Sequence, residues 1–539
     1  LAHALLVIFL TPLPCVLSVI LVDLIPLQAP EKGLAHSHMF WLRIYLSILC
    51  VYFAILEQAR HYIPALHITG LQVVLVTFFV AAGAVANTFG WTCLVGYPLP
   101  FSPCFAALGG IFLTVITGTI LWGKHVRGKP AVLAEIMTYA NIVVGTTSLI
   151  FIYPPYNYVF ISLPSSQQTA FALLLPMLKI LAKNVVAYLT RHLEDFKPGV
   201  VIFNVEIFHA LFVANCTQQS NSIYTTILLI AMDFLQACAS LHDIDLMLNS
   251  LRELIYTDLA PAGGQQTSTR PSNQSRISSL DAAMYILAID LHLRFSEGVR
   301  LHSQTTISAV PQSIVIRHQD NKPGPGDTAI SSTVVDKSQL LGNKLGFRRN
   351  SSKTSAAVYP GAFRSRSASV EVILDAHART THISDADKQR LQALSPAARL
   401  QIVQKTLKLL HLTEFLLLVE FTEVIVSCIF CVFVGVVSHL PNQQFYSNLR
   451  DLDDTAVWNN IGKILAYATL EAISFAMLAY LLQRKLRMSS LKQLAFVLET
   501  QWQLVQSKLI LWVITSLQTT LVHVGIDYSF RFAWLHNSN

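Results

Sequence analysis

LLHLTEFLLLVEFTEVIVSCIFCVFVGVV, residues 409–437, is the stretch from which the fold class of this chain follows. It is longer than the roughly 20 residues that an α-helix needs to cross about 30 Å of hydrocarbon. Its acidic residues are Glu414, Glu420 and Glu423, and it contains no lysine or arginine. Apolar side chains would occur on every face of such a helix. A surface helix of a soluble protein buries only one face, so it could not shield all of them from water. The stretch therefore predicts a helix inside a membrane.

Ten further apolar runs of this kind occur along the chain. They cover approximately residues 3–27, 40–57, 67–90, 104–123, 132–153, 167–190, 200–216, 222–240, 461–482 and 505–526. The first run lacks a basic start and is longer than a signal-peptide core, so we interpret it as a span. Together the runs predict an all-α, polytopic membrane bundle of about eleven transmembrane helices, within a range of ten to twelve.

The composition agrees with a membrane environment. Of the 539 residues, 53% are hydrophobic and only 13% are charged, and the mean hydropathy is +0.50. This balance excludes a disordered chain and disfavours a soluble enzyme, because too little polar surface is available to cover the apolar mass. The lipid bilayer is thus the first expected partner. Plasma membrane and endomembrane both remain open as the location.

Basic residues in short loops predict the orientation of the bundle. Lys124, Arg127 and Lys129 lie in one connection, and Arg484 and Lys485 lie in another. With eleven spans both connections fall on the same side, which we assign to the cytoplasm by the positive-inside rule. The N-terminal end is then inside and the C-terminal end outside.

Two modifications are predicted on the outer side. Asn215 begins an Asn-Cys-Thr sequon, a candidate for glycosylation. Cys93 and Cys104 flank one outer loop, where they form either a disulfide or two free thiols.

The polar segment 241–405 divides the chain into an eight-span block, 1–240, and a three-span block, 406–539. This cytoplasmic loop carries most of the net charge of +7, and its Ser-, Arg- and Pro-rich part is predicted to be disordered. Two helical islands, at about 246–255 and 284–295, either lie on the inner leaflet or pack under the bundle. A third helix, about 385–408, is expected to run into the ninth span.

Four serines in or beside the disordered part follow an arginine by two or three residues, which is the pattern that basic-directed kinases prefer. They are Ser279, Ser351, Ser367 and Ser369. A phosphate there would weaken attraction to an anionic membrane surface, so a cytoplasmic kinase is a possible partner. The alternative interpretation is a simple Ser/Arg linker.

Many ionisable residues lie inside the predicted spans, although each costs about 2.5–3.5 kcal/mol at the bilayer centre by insertion scales. The candidates for a transport pathway are Lys179, Lys183, Glu206, His209, Asp233, Glu420, Glu423, Lys463 and Glu471. In one interpretation the carboxylates bind a cation or relay protons, the lysines are counter-charges or bind an anion, and Pro176 opens its helix beside them. In the other, Lys–carboxylate pairs only fix helix register.

Small residues recur every fourth position in the fourth span, at Ala106, Gly110, Thr114 and Gly118. This spacing lets helix backbones approach closely. We expect the alanine- and glycine-rich segment 81–86 of the third span to supply the facing surface.

The usual signatures of catalysis are missing from the sequence. It has no Gly-x-Ser-x-Gly elbow, no His-Glu-x-x-His and no dinucleotide fingerprint. Cys428 and Cys431 lie in an apolar span without a second ligand pair, so we expect no metal there. No cofactor, no nucleic-acid partner and no enzymatic activity are predicted.

The C-terminal part, about the last 130 residues, contains the most distinctive motifs. They are Thr413-Glu414-Phe415, Val419-Glu420-Phe421-Thr422-Glu423-Val424, Ala468-Thr469-Leu470-Glu471 and Phe496-Val497-Leu498-Glu499-Thr500-Gln501-Trp502. This part loosely resembles an uncharacterised, lineage-expanded family of multi-pass membrane proteins of oomycete type. The resemblance implies no known activity, cofactor or catalytic residue.

The number of intramembrane carboxylates favours transport of a small solute or ion, coupled to protons or cations, as the function. The alternative is a sensory, signalling or scaffolding membrane protein that acts through its phosphorylatable cytoplasmic loop.

Overall fold

The structure is a computed structural model, and it describes residues 2–189, 202–219, 223–257, 279–289, 384–450, 452–486, 489–532 and 534. The predictions for Ser351, Ser367 and Ser369, and for most of the cytoplasmic loop, lie outside these residues.

The described residues form an all-α structure, as the sequence predicts. Apart from one antiparallel bridge between Tyr446 and Leu521, they contain no β structure. The helices of the first half are α1 (Ala2–Leu10), α2 (Leu13–Asp23), α3 (His38–Tyr62), α4 (Gly70–Val95), α5 (Ser102–Val126), α6 (Pro130–Thr147), α7 (Leu149–Ser162), α8 (Ser165–Ala172), α9 (Leu174–Leu189), α10 (Ile207–Gln219) and α11 (Ile223–Thr257). Those of the second half are α12 (Ser279–Ile289), α13 (Asp385–Ala393), α14 (Pro396–Val437), α15 (Asp454–Leu486), α16 (Ser490–Thr500) and α17 (Trp502–Gln518).

Shorter helical turns connect several of these helices. A π-helical turn, Ile202–Glu206, leads into α10, and 3-10 turns lie at Pro30–Lys32, Leu34–His36, Pro64–Leu66, Pro441–Phe445 and Val522–Val524.

Within the described part of the chain, nine helical segments are long and apolar enough to cross a membrane. They are Ala2–Asp23, His38–Tyr62, Gly70–Val95, Ser102–Val126, Pro130–Ser162, Gln167–Val186, Ile227–Ile255, Pro396–Val437 and Asp454–Leu486. Each corresponds to one of the eleven predicted runs. The other two runs, 200–216 and 505–526, correspond to α10 and α17, which are shorter and mostly buried.

The longest helix, α14, lies at the centre of the packing. Its 42 residues contact α2, α10, α11 and α15 along their length, and 22 of them are buried. The C-terminal helices also reach the beginning of the chain, because α17 packs on α2 and α3 and α16 packs on α1. The two predicted membrane blocks therefore share one hydrophobic core.

The first predicted island, 246–255, is the C-terminal part of the continuous helix α11, so the predicted loop boundary at residue 241 falls inside a helix. The described part of the second island is α12, and both segments pack against α14. Leu251 of α11, Ile286 of α12, Leu391 of α13 and Ile402 of α14 are all buried in one smaller apolar cluster. The third predicted helix is interrupted at Ser395, whose side chain caps α14 just before Pro396. From Pro396 the helix runs without a break into the long apolar stretch.

The small residues of α5 face two neighbouring helices rather than one. A Cβ on Gly110 would lie 1.8 Å from the Tyr52 hydroxyl of α3, whereas one on Gly109 would meet Asn87 of α4 at 2.9 Å. Gly118 does not closely approach another helix among the described residues. A Cβ there would lie near only Trp122 of α5 itself, at 3.6 Å. The predicted close approach thus exists. Gly110 serves α3, whereas the predicted facing segment 81–86 meets α5 at Gly83, where a Cβ would overlap the side chain of Leu113.

Gly110→Val is expected to destabilise the protein by about 1–3 kcal/mol, because the added carbons overlap the buried Tyr52 side chain. Gly118→Val is the matched control, since it carries the same helix-propensity cost without the overlap. Unfolding of the detergent-solubilised protein should occur at a clearly lower temperature for the first variant. Equal melting temperatures for the two variants would contradict this account of the α3–α5 contact.

Candidate functional site

A break between α8 and α9 precedes the two lysines of the site. The break arises because Pro176 has no N–H to donate to the carbonyl oxygen four residues earlier. Its ring would also clash with that carbonyl group in a regular helix. Lys179 and Lys183 follow on one face of α9. At the break, the carbonyl oxygen of Phe171 accepts a hydrogen bond of 3.0 Å from the Tyr156 hydroxyl. The irregularity is confined to Leu173, whose backbone keeps right-handed helical angles, so Gln167–Val186 remains one helical segment.

Lys179 is the centre of the site. Its ammonium nitrogen lies 2.8 Å from Glu423 Oε1 and 3.1 Å from Glu206 Oε2. A third carboxylate oxygen, Oδ1 of Asp233, lies 3.9 Å away. Only 1% of the Lys179 side chain is exposed. One buried cation therefore joins carboxylates from the π-helical turn, α11 and α14.

Glu206 ends the π-helical turn and is completely buried. Besides Lys179, it binds Lys183, whose nitrogen lies 2.5 Å from Glu206 Oε1. His209 follows one helical turn later on α10 and is also buried, although its Nδ1 has no hydrogen-bond partner among the described residues. Single π-turns are rare and often occur at functional sites.

Three further carboxyl groups meet beside this lysine cluster. Glu420 and Glu423 lie one turn apart on α14 and face Glu471 of α15, and all three are buried. One oxygen from each lies within 4.8 Å of the others. The Ser474 hydroxyl donates to Glu420 Oε2 at 3.1 Å. The group resembles the oxygen-only ligand sets that hard cations prefer.

A tyrosine links α11 to α15 within the same region. The Tyr467 hydroxyl lies 3.2 Å from Asp233 Oδ2, and this tyrosine is one turn before Glu471. Lys463 lies one further turn away on the same helix and is half-buried. Eight of the nine predicted pathway residues thus lie in or directly beside one network, and Lys463 lies two turns from Glu471.

The predicted modification sites have less distinctive surroundings. Cys93 and Cys104 are both free thiols, which is the second of the two predicted alternatives. Asn215 lies within α10, and Thr217 of its sequon is buried. This is not the exposed loop in which glycosylation normally occurs. Ser279 is the first residue of α12.

A second buried charge pair was not predicted from the sequence. Arg43 of α3 donates to Asp23 at the end of α2, and the hydroxyl of Tyr446 also donates to Asp23, at 2.5 Å. Arg43 additionally contacts the Tyr446 hydroxyl. The side chains of Asp23 and Arg43 are 0% and 1% exposed. The sequence does contain a signal for this pair, because Asp23 lies near the end of the first apolar run and Arg43 near the start of the second.

Backbone contacts close the same end of the bundle. The Asn442 amide donates to the carbonyl oxygens of Asp23 and Ile25 and accepts from the Leu27 N–H at 2.8 Å. These contacts join the segment after α2 to the segment between α14 and α15.

Comparison of the chain with protein-family models, with curated proteins and with solved structures found no match. The resemblance of the C-terminal part to an oomycete-type membrane protein family therefore stays a prediction.

Proposed function

We propose that this chain is a multi-pass membrane protein that moves a small solute or ion across the bilayer, coupled to protons or a cation through its buried carboxylates. The nine long apolar segments, together with α10 and α17, make up the eleven spans of this proposal.

Contacts between the connecting segments support eleven crossings. With eleven spans, the connections alternate between two sides, and each contact should join segments of one side only. Contacts on the proposed outer side join Phe101 to Gly525, Asn442 to Asp23 and Trp534 to Pro98. Contacts on the proposed inner side join His3 to Glu499 and Lys485 to Asp245. Every one of these pairs agrees with the proposed alternation.

The observation that carries the proposal is the charge imbalance of the buried network. Among the described residues, the network contains two lysines, Lys179 and Lys183, and five carboxyl groups, those of Glu206, Asp233, Glu420, Glu423 and Glu471. Even with a proton on His209, acids outnumber cations by two. Two like charges about 4 Å apart repel by about 4 kcal/mol at an effective dielectric constant of about 20. The network therefore requires shared protons or a bound cation, whereas pairs that only fix register would be balanced.

The helices around the network have the discontinuities that transporters use at their binding sites. The break before Lys179 and the π-helical turn that ends at Glu206 flank the lysine side. The carboxylate side is carried by the unbroken helices α14 and α15. This combination supports a movement of the lysine side of the site relative to α14 and α15. Alternating access requires such a relative movement.

Neutralising one carboxyl group tests the proposal. Glu471→Gln should reduce ion flux by at least about tenfold, because the three-carboxyl group then loses a charge and a cation ligand. The full chain would be reconstituted into liposomes that contain a pH-sensitive dye. Proton and Na⁺ flux would be followed after an imposed membrane potential.

Glu499→Gln is the matched control, since Glu499 is exposed and, among the described residues, pairs only with the exposed His3. It should leave flux unchanged. If both variants keep full flux while deletion of residues 303–370 abolishes the cellular role, the sensory or scaffolding alternative is favoured. The packing of α12 and α13 against α14 gives that alternative a physical route from the loop to the bundle.

A further inference from the structure

A large apolar groove lies between α3, α5, α6 and α17, away from the carboxylate network. Its volume is about 1150 Å³. Typical small-molecule sites measure roughly 300–1,000 Å³, so the groove could hold a ligand with long apolar chains. An apolar space of this size is unfavourable when empty, because its walls lose dispersion contacts.

The groove lies where α5 and α6 make few contacts beyond the turn that joins them, and small residues form part of the α5 wall. Gly128 in the turn has φ +82°. Ala107, Thr114 and Gly118 line the α5 side, and Ala140 lines the α6 side. The lining residues Val115, Ile120 and Met137 are exposed, so the groove is open laterally, where the acyl chains of a bilayer would lie.

Positive charge is concentrated at one end of the groove. Lys124 and Arg127 line that end and are exposed. Among the described residues neither has an ion-pair partner. They belong to the connection that the basic-residue rule assigns to the cytoplasm, where anionic lipids are enriched. A ligand with a negative head and apolar chains therefore matches both parts of the groove.

The deep wall of the groove leads toward the carboxylate network. Trp512 of α17 and Asn204 of the π-helical turn both line it. The Trp512 indole N–H donates to Asn204 Oδ1 at 2.7 Å, and Asn204 lies two residues before Glu206. A bound chain in the groove would thus contact the turn that carries Glu206.

We propose that a phospholipid with an anionic headgroup occupies this groove, with its acyl chains between α5 and α6 and its phosphate at Lys124 and Arg127. This site goes beyond the proposed transport function and does not depend on it.

Native mass spectrometry of the full, detergent-purified chain tests the headgroup part. Phosphatidylglycerol and phosphatidylcholine with identical acyl chains are the probes. Removal of both charges in Lys124→Gln/Arg127→Gln should weaken phosphatidylglycerol binding about 25-fold, since each basic residue contributes about 1 kcal/mol, or fivefold. Lys129→Gln/Arg484→Gln removes two exposed charges outside the groove. This control variant should weaken phosphatidylglycerol binding less than threefold. Equal binding of the two lipids to the unmodified chain, or equal effects of the two double variants, would overturn the proposal.

Filling the groove tests the acyl-chain part. Ala140→Phe inserts a ring into the groove and should reduce binding of both lipids at least fivefold. Ala134→Phe places the same ring on an exposed position of α6 that does not line the groove, so binding should persist. Unchanged binding in Ala140→Phe would show that the lipid lies elsewhere on the protein.

Discussion

Lys179→Met is expected to destabilise the protein by about 3–5 kcal/mol, which is the usual effect of removing one partner from a buried ion pair. The substitution keeps the apolar stem but removes the charge that lies within 4 Å of Glu206, Asp233 and Glu423. These carboxylates would then repel one another with only Lys183 left nearby. The free energy of unfolding, measured by denaturant titration in detergent, checks the expected loss.

Lys183→Met is the matched control for this result. Lys183 lies one turn further along the same helix and is 23% exposed. In the described part of the chain its one carboxylate partner is Glu206. Its removal should cost clearly less than removal of Lys179. The double variant Lys179→Met/Glu423→Met should recover part of the lost stability, because it also removes one of the unpaired carboxylates. Equal losses for the two lysine variants would show that Lys179 has no special position in the network.

Arg43→Leu should produce a loss of similar size, about 3–5 kcal/mol, at the other end of the bundle. Without the guanidinium group, Asp23 would keep only the Tyr446 hydroxyl as a side-chain partner while remaining fully buried. The loss should appear as a lower unfolding temperature of the detergent-solubilised chain. Asp23→Leu/Arg43→Leu should be more stable than Arg43→Leu alone, since no buried charge is left without its counter-charge.

Arg60→Leu on the same helix separates this effect from a general effect of losing an arginine. Arg60 pairs with Glu57 at 3.3 Å, and 35% of its side chain is exposed. Its partner Glu57 is only 10% exposed, so the loss should lie between the roughly 0–1 kcal/mol of an exposed pair and the larger loss at the fully buried Arg43–Asp23 pair. A loss for Arg60→Leu as large as that for Arg43→Leu would refute the argument from burial.

The charges inside apolar runs could be predicted from the sequence because membrane burial makes each of them costly. Glu206, Asp233, Glu423 and Lys179 stand out on this ground alone, and cancelling such costs requires that they meet. The cost of an unpaired buried charge predicts that these side chains meet, whereas their spacing along the chain does not. For the same reason, the sequence could not say which of them pair.

Other features depend on contacts that no local pattern contains. Tyr446 reaches Asp23 across 423 residues, and it lies in a connection that looks unremarkable as sequence. Gly110 packs against α3 rather than α4 because the bulky side chain of Tyr52 lies over it. The groove depends on how far α5 and α6 diverge, which the composition of either helix does not determine.

The central position of α14 has a consequence for the synthesis of the protein. Lys179 and Glu423 are 244 residues apart, so at about 5–20 residues per second the ribosome adds the second on the order of 10–50 s after the first. During that time the earlier helices already carry Lys179 and Glu206, but the helix that completes their environment has not been made. In the nascent chain Lys179 can already pair with Glu206, but it lacks Glu423 until the helix that begins at Pro396 has been made.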